Sequence, residues 1–195
     1  MLTCIILMGV SGCGKSSLLE ALKNYYLSSE MLTGAKVVFF EGDDFHSAEN
    51  RLKLSSGIPL TDGDRMPWLK SLTEAILAAC CSDENEKYLA FATCSALKKS
   101  YRDFIRSTLK EIRFIYLKIG NSNNVLKQRL DSRVGHFAST AIMESQLQIL
   151  EEPSELEENV TTIDCCEHDV SSLAALVIKS IAFYSRLLLS PCSKG

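Results

Sequence analysis

The chain has 195 residues, 46% of them apolar, with 21 basic against 24 acidic side chains and a formal net charge of −3. This balance argues against an extended nucleic-acid footprint, but a small anionic substrate needs only a local cluster of Lys and Arg. No apolar run reaches the length of a membrane span. The eight cysteines include no C-x-x-C pair and no Cys/His zinc spacing, so a reduced, cytoplasmic, single domain over 1–195 is expected.

Residues 1–8 read as a buried strand, because Cys4 to Met8 is a continuous apolar run. The run opens into Gly9, Val10, Ser11, Gly12, Cys13, Gly14, Lys15 and Ser16, which fill every fixed position of G-x-x-x-x-G-K-[ST]. A helix follows over 15–27, with Leu18, Leu19, Leu22 and Tyr26 along one face. Strand, glycine loop and helix form the context in which this motif binds a nucleotide triphosphate. Inward N–H groups and the helix N-terminus meet the phosphates, Lys15 reaches the β and γ groups, and the Ser16 hydroxyl ligates Mg²⁺. Ser17 completes the segment. Cys13 lies inside the loop, so modification of its thiol is expected to block the nucleotide.

A connection over 28–36 leads to a second buried strand at 37–40, which ends in Glu41, Gly42, Asp43, Asp44, Phe45 and His46. Ligands of open α/β sheets bind outside the carboxyl ends of the strands, which makes these acids candidates for chemistry. Residues 49–70 are polar and carry Arg51, Lys53 and Arg65. They are read as a short helix over 48–55, stopped by Gly57 and Pro59, and as cover for a substrate. A helix over 67–79, a polar turn at 82–87 and a third strand at 88–93 come next. Cys94 and Ser95 end that strand, and a basic helix runs on to Lys110. A fourth strand covers 112–119.

Residues 125–134 read as a helix with Arg129 and Arg133 one turn apart on the same face. Gly135, His136 and Phe137 interrupt it, and 141–150 forms a second arm. Two such arginines can close over a triphosphate, neutralise charge during transfer and exclude water. The acidic run from Glu151 to Glu158 reads as solvated, with a short strand at 160–163 and a closing helix at 170–189 after it. Trp68 and Tyr101 read as packing residues. The fold expected is a P-loop-type three-layer α/β/α domain: a five-stranded parallel sheet, a substrate-side segment at 45–69 and a helical lid at 121–150. No N-K-x-D guanine-reading stretch is present, which leaves a small-molecule kinase ahead of a GTPase.

Beyond the loop, the chain resembles the gluconokinase family of small-molecule kinases, which is related to shikimate kinases. The resemblance is carried by Glu41 to His46, by Gly57 to Leu69, by Cys94 to Asp103, by Arg133 to Phe137, and by Glu144 to Leu147 with Leu150 to Pro153. It implies ATP-dependent phosphorylation of D-gluconate to 6-phosphogluconate by a cytoplasmic homodimer, with no membrane or nucleic-acid partner. Asp43 would sit by the acceptor hydroxyl. His46, Lys53, Arg65, Ser95, Arg102 and His136 would face the substrate, with Lys53, Arg65 or Arg102 meeting its carboxylate. Arg129 and Arg133 would serve the nucleotide from the lid, and Glu41 would assist Ser16 at Mg²⁺ through water. The alternatives are a kinase for another sugar acid or polyol, and a catalytically inactive nucleotide-binding interaction protein.

Overall fold

The computed structural model describes residues 1–28, 35–80, 86–120 and 140–189. Five strands, β1 (Leu2–Met8), β2 (Lys36–Phe40), β3 (Tyr88–Thr93), β4 (Ile112–Lys118) and β5 (Val160–Asp164), form one sheet in the order β2-β3-β1-β4-β5. Every pairing is parallel. The helices are α1 (Lys15–Ser28), α2 (Ala48–Ser55), α3 (Asp62–Cys80), α4 (Lys99–Thr108), α5 (Thr140–Ile149) and α6 (Val170–Leu189). A four-residue 3-10 turn, Gly42–Phe45, follows β2.

The continuous apolar character of β1 has a direct cause. Alternate side chains leave opposite faces of a strand, and both faces of this sheet are covered. Ile5 and Leu7 pack with Leu18 and Leu22 of α1, Phe91, Ile115, and Val177 of α6. Cys4, Ile6 and Met8 pack on the other side with Leu69, Leu72 and Ile76 of α3, Tyr101 and Ile105 of α4, and Phe114. A strand buried on both faces cannot alternate apolar with polar residues. Tyr101 is accordingly a core residue, only 2% exposed.

The strand boundaries expected from the sequence agree with the structure to within a residue or two, and α6 spans the expected residues. The main departure is α3. It begins at Asp62, five residues before the expected start, and carries Pro67 within it. Helical bonding starts with Arg65 N–H to the Thr61 carbonyl, so Pro67 removes one interior bond, to the Gly63 carbonyl, against which stands the burial of Trp68, Leu69, Leu72 and Ile76 on the same helix. The first arm of the expected lid, with Arg129, Arg133 and His136, lies outside the described residues. Its second arm is α5.

β1 lies at the switch point of the sheet: from β1 the chain crosses to β2 and returns to β3 on one side, then passes β1 to build β4 and β5 on the other. The carboxyl ends of β1, β2 and β3 therefore open onto one crevice. The turn after β2 is pressed against the end of β3. A Cβ on Gly42 would stand 2.0 Å from the Thr93 carbonyl oxygen. Gly42→Ala should lose about 1–3 kcal/mol through overpacking, read as a lower denaturation midpoint with an unchanged slope. A wild-type midpoint would show that the turn can lift off the strand freely.

Candidate active site

The phosphate loop leaves β1 through Gly9, whose φ of 141° and close approach to the Leu117 carbonyl admit no side chain. Gly12 and Gly14 also take positive φ, 87° and 100°. The Lys15 ammonium folds back over the loop and donates to the Gly9 and Val10 carbonyls at 2.9 and 3.0 Å. Ser11 N–H donates to Oε1 of Gln146, on α5, at 2.7 Å. Ser16 lies in the first turn of α1, and Ser17 is exposed. Val10 and Cys13 turn inward and join the core. Cys13 is only 1% exposed, so its thiol is shielded from the modification that would be expected to block the nucleotide. Alkylation should label the exposed Cys166 well before Cys13, as peptide mass spectrometry over time would reveal; equal rates would contradict the buried placement.

After β2, the Gly42 peptide is held at both ends. Its N–H donates to Thr93 Oγ1 at 2.8 Å, and its carbonyl accepts from Trp68 Nε1 at 2.7 Å. Asp43 is thereby set at the rim with its side chain 64% exposed. His46 stacks on Trp68, with ring centroids 4.4 Å apart and an interplanar angle of 19°. Its Nε2 is 3.9 Å from Asp43 Oδ1, and its buried Nδ1 has no hydrogen-bond partner among the described residues. Burial pushes the His46 pKa down, Asp43 opposes the shift, and Arg51 and Arg65 add to it. The imidazole is therefore neutral at pH 7. Trp68 is thus both packing, as expected, and a wall of the site. Arg51 reaches back from α2 to the carbonyls of His46 and Asp44 at 3.1 and 2.5 Å.

One cleft, enclosing about 830 Å³ of space open to solvent, is lined by Ser11 and Lys15 from the loop, Asp43 and His46 after β2, and Thr93 and Ser95 at the end of β3. Arg51, Arg65 and Trp68 also line it, with Ile142 and Gln146 from α5. Of the residues expected from the sequence, Lys15, Ser11, Asp43, His46, Arg65 and Ser95 thus meet in one place.

Arg102 does not meet them. Its side chain is 1% exposed and forms a two-pronged pair with Glu157, Nε to Oε1 and Nη2 to Oε2, both at 2.7 Å. Its Nη1 donates to the carbonyls of Ala96, Leu97 and Glu151. Both edges of the guanidinium are committed inside the protein, so its expected contact with a substrate carboxylate is replaced by a structural role. Lys53 is also drawn aside. Its ammonium lies 2.7 Å from Asp64 and 3.0 Å from Glu49 and does not line the cleft. Hydrogen bonds from Lys53 and Thr61 hold Asp64 down at about 2. Glu41 likewise lies off the cleft lining and accepts from the Thr93 hydroxyl.

The acidic run is not uniformly solvated. Glu151 accepts the first N–H of α4, from Lys99, at 2.7 Å, and Glu157 is sequestered by Arg102 and Arg106. The sequence signal was available: basic Arg102 and Arg106 one turn apart on α4 suited an acidic partner, but only the fold names which acid.

Comparison with known proteins adds a second line. No family model matches the chain. It is 37% identical over 168 residues to the thermosensitive gluconokinase of Escherichia coli (strain K12), covering 86% of this chain and 81% of that one. The chain belongs to the gluconokinase family. A second member, the gluconokinase of Gluconobacter oxydans (strain 621H), is 37% identical over 156 residues, 77% of this chain and 76% of its own. Among solved structures, a gluconokinase from Sinorhizobium meliloti 1021 superposes with a TM-score of 0.73 and 34% identity over 95% of each chain. The APS kinase of Mycobacterium tuberculosis, at 17% identity and a TM-score of 0.62, shares the fold. Gluconokinase-family membership accounts for the kinase architecture, in which the parallel sheet presents the phosphate loop at its switch point.

In this gluconokinase-family chain, breaking the Arg102–Glu157 pair should be costly. Arg102, with help from Arg106, holds the Glu157 carboxyl down at about 2, so its contribution to stability is complete above about pH 4.5 and disappears as pH falls towards 2. Glu157→Gln should lose about 3–5 kcal/mol at neutral pH by leaving buried Arg102 unpaired. The difference from wild type should close in acid. A gap independent of pH in denaturation curves would contradict the assignment.

Proposed function

We propose that this chain phosphorylates D-gluconate with ATP, and the observation that carries the reading is the sharing of one cleft by Lys15 and the phosphate loop with the Asp43 carboxylate. The donor and the acceptor ends of a transfer then line one cleft. The triphosphate lies along the loop N–H groups, and the Lys15 ammonium exchanges its loop carbonyls for β and γ oxygens. The acceptor hydroxyl lies at Asp43.

Transfer is a direct displacement. The acceptor oxygen forms a bond to the γ-phosphorus, the bond from that phosphorus to the β,γ-bridging oxygen breaks, and ADP leaves. The hydroxyl proton passes to the Asp43 carboxylate. The neutral His46 lines the cleft beside it with Nε2 turned toward Asp43, which suits a hydroxyl of the polyol shared between the imidazole and the carboxylate. Arg51 and Arg65 are the guanidiniums on the cleft, and Arg65, 6% exposed, is the better placed of the two for a carboxylate because burial strengthens the pair.

The donor set suits Mg²⁺ carried in with ATP. The Ser16 hydroxyl at the start of α1 would be one oxygen ligand, with Glu41 acting through water, and phosphates and waters would complete the shell. When bound, the ion neutralises charge between the β and γ phosphates. Among the described residues, no group of three or more His, Cys, Asp or Glu could hold a metal alone. A homodimer in the cytoplasm is part of the same proposal and rests on the family resemblance. Among the described residues, no helix is long and apolar enough to cross a membrane.

Gluconate-dependent ADP release in a coupled assay tests the reading, and a sugar-acid panel separates gluconate from its relatives. Asp43→Asn should lower kcat by about 10²–10⁴-fold while ATP binding persists. Near-normal turnover would remove Asp43 from the chemistry. Arg65→Lys should raise the gluconate KM roughly tenfold and leave the ATP KM unchanged, because a lysine cannot reproduce the two-pronged pair. The opposite pattern would place Arg65 on the nucleotide.

A further inference from the structure

Gln146 joins the phosphate loop to α5, which also lines the cleft. On α5, Met143 is buried and Leu147 half-buried in the core, which anchors that face of the helix. Ile142 and Gln146, one turn apart, share the adjoining face and line the cleft. The Gln146 carbonyl oxygen accepts Ser11 N–H at 2.7 Å. A carboxamide is planar and carries its donor and acceptor at one end. With the oxygen committed to the loop, its NH₂ is the group left to meet a ligand at the cleft shared with Lys15 and Asp43.

The chemistry of the transfer gives that donor a use. Charge spreads over the equatorial phosphoryl oxygens as the group moves between the bridging oxygen and the acceptor. A neutral donor held in place before the reaction stabilises such charge without reorganising. We propose that Gln146 is a further residue of the transfer step, donating from Nε2 to an oxygen of the moving phosphoryl group while its Oε1 stays on Ser11 N–H. Gln146 neither gains nor loses a proton, and the bonds made and broken are those of the displacement already described. The inference rests on the reading that this cleft transfers phosphoryl from ATP.

Two variants of the full-length chain test it. Gln146→Leu keeps the approximate volume and removes both polar atoms. It should lower kcat at least about tenfold and leave the ATP dissociation constant, measured calorimetrically, within about threefold of wild type. Gln146→Glu keeps an oxygen for Ser11 and loses the donor. Its kcat should fall at neutral pH, and its ratio to wild type should recover as pH drops from about 8 to about 6, when a carboxyl beside phosphates regains its O–H.

Wild-type kcat in both variants would overturn the proposal. So would tighter ATP binding by Gln146→Leu with kcat intact, which would make Gln146 a stand-in for a phosphate oxygen. Gln146→Glu equal to wild type at every pH would reduce the residue to holding the loop, and this variant decides if Gln146→Leu melts early. The comparison is run on whichever acceptor the wild type uses. Rejection of gluconate in favour of another sugar acid would therefore end the substrate reading and leave this test standing.

Discussion

The site depends on how the Gly42 peptide is held between two strands' worth of neighbours. Its N–H is fixed by the Thr93 hydroxyl and its carbonyl by Trp68 Nε1, with no space for a side chain between the turn and the Thr93 carbonyl. These contacts place the turn after β2 directly over the end of β3. Asp43 follows as the next residue, and His46 is set by stacking on the same Trp68. A buried peptide with both polar groups satisfied is expensive to move, so the carboxylate has a defined position although its own side chain is exposed.

A second fixed point lies just beyond the end of β3. The Arg102 guanidinium gathers the Ala96 and Leu97 carbonyls, after β3, with the Glu151 carbonyl, after α5, and Glu157 neutralises it. Ala96 is held there at a φ of 44°, an unusual value for a residue with a side chain. Ser95, one residue earlier, accepts Gly9 N–H through its carbonyl. The buried ion pair thus ties the loop carrying Ser95 to the helix carrying Gln146. Arg102 shapes the cleft from behind it.

The charged residues around the cleft divide according to what already satisfies them. Lys53 and Arg102 have carboxylate partners in the folded chain. The Lys15 ammonium is held by the Gly9 and Val10 carbonyls and the Cys13 sulfur of its own loop, and the Asp43 carboxylate stands 64% exposed beside a neutral His46. Groups with neutral or missing partners are the ones an anionic, hydroxylated ligand can engage, because engaging them breaks no ion pair.

Much was legible from residue order alone. The phosphate loop was readable because its glycines, lysine and serine must be consecutive to wrap a phosphate. The strands were readable because a sheet covered on both faces demands unbroken apolar runs such as Cys4 to Met8. Asp43 and His46 could be nominated because they follow a strand end. The allocation of Lys53, Arg102 and Glu157 was not legible, since a charged side chain looks the same in sequence whether it faces a ligand or a partner 55 residues away. Gln146 carried no assigned role, for the same reason: its hydrogen bond to Ser11 spans 135 residues. Local chemistry is written in short stretches of chain. Which charges remain available to a ligand was settled only when tertiary packing brought distant segments together and paired some of them off.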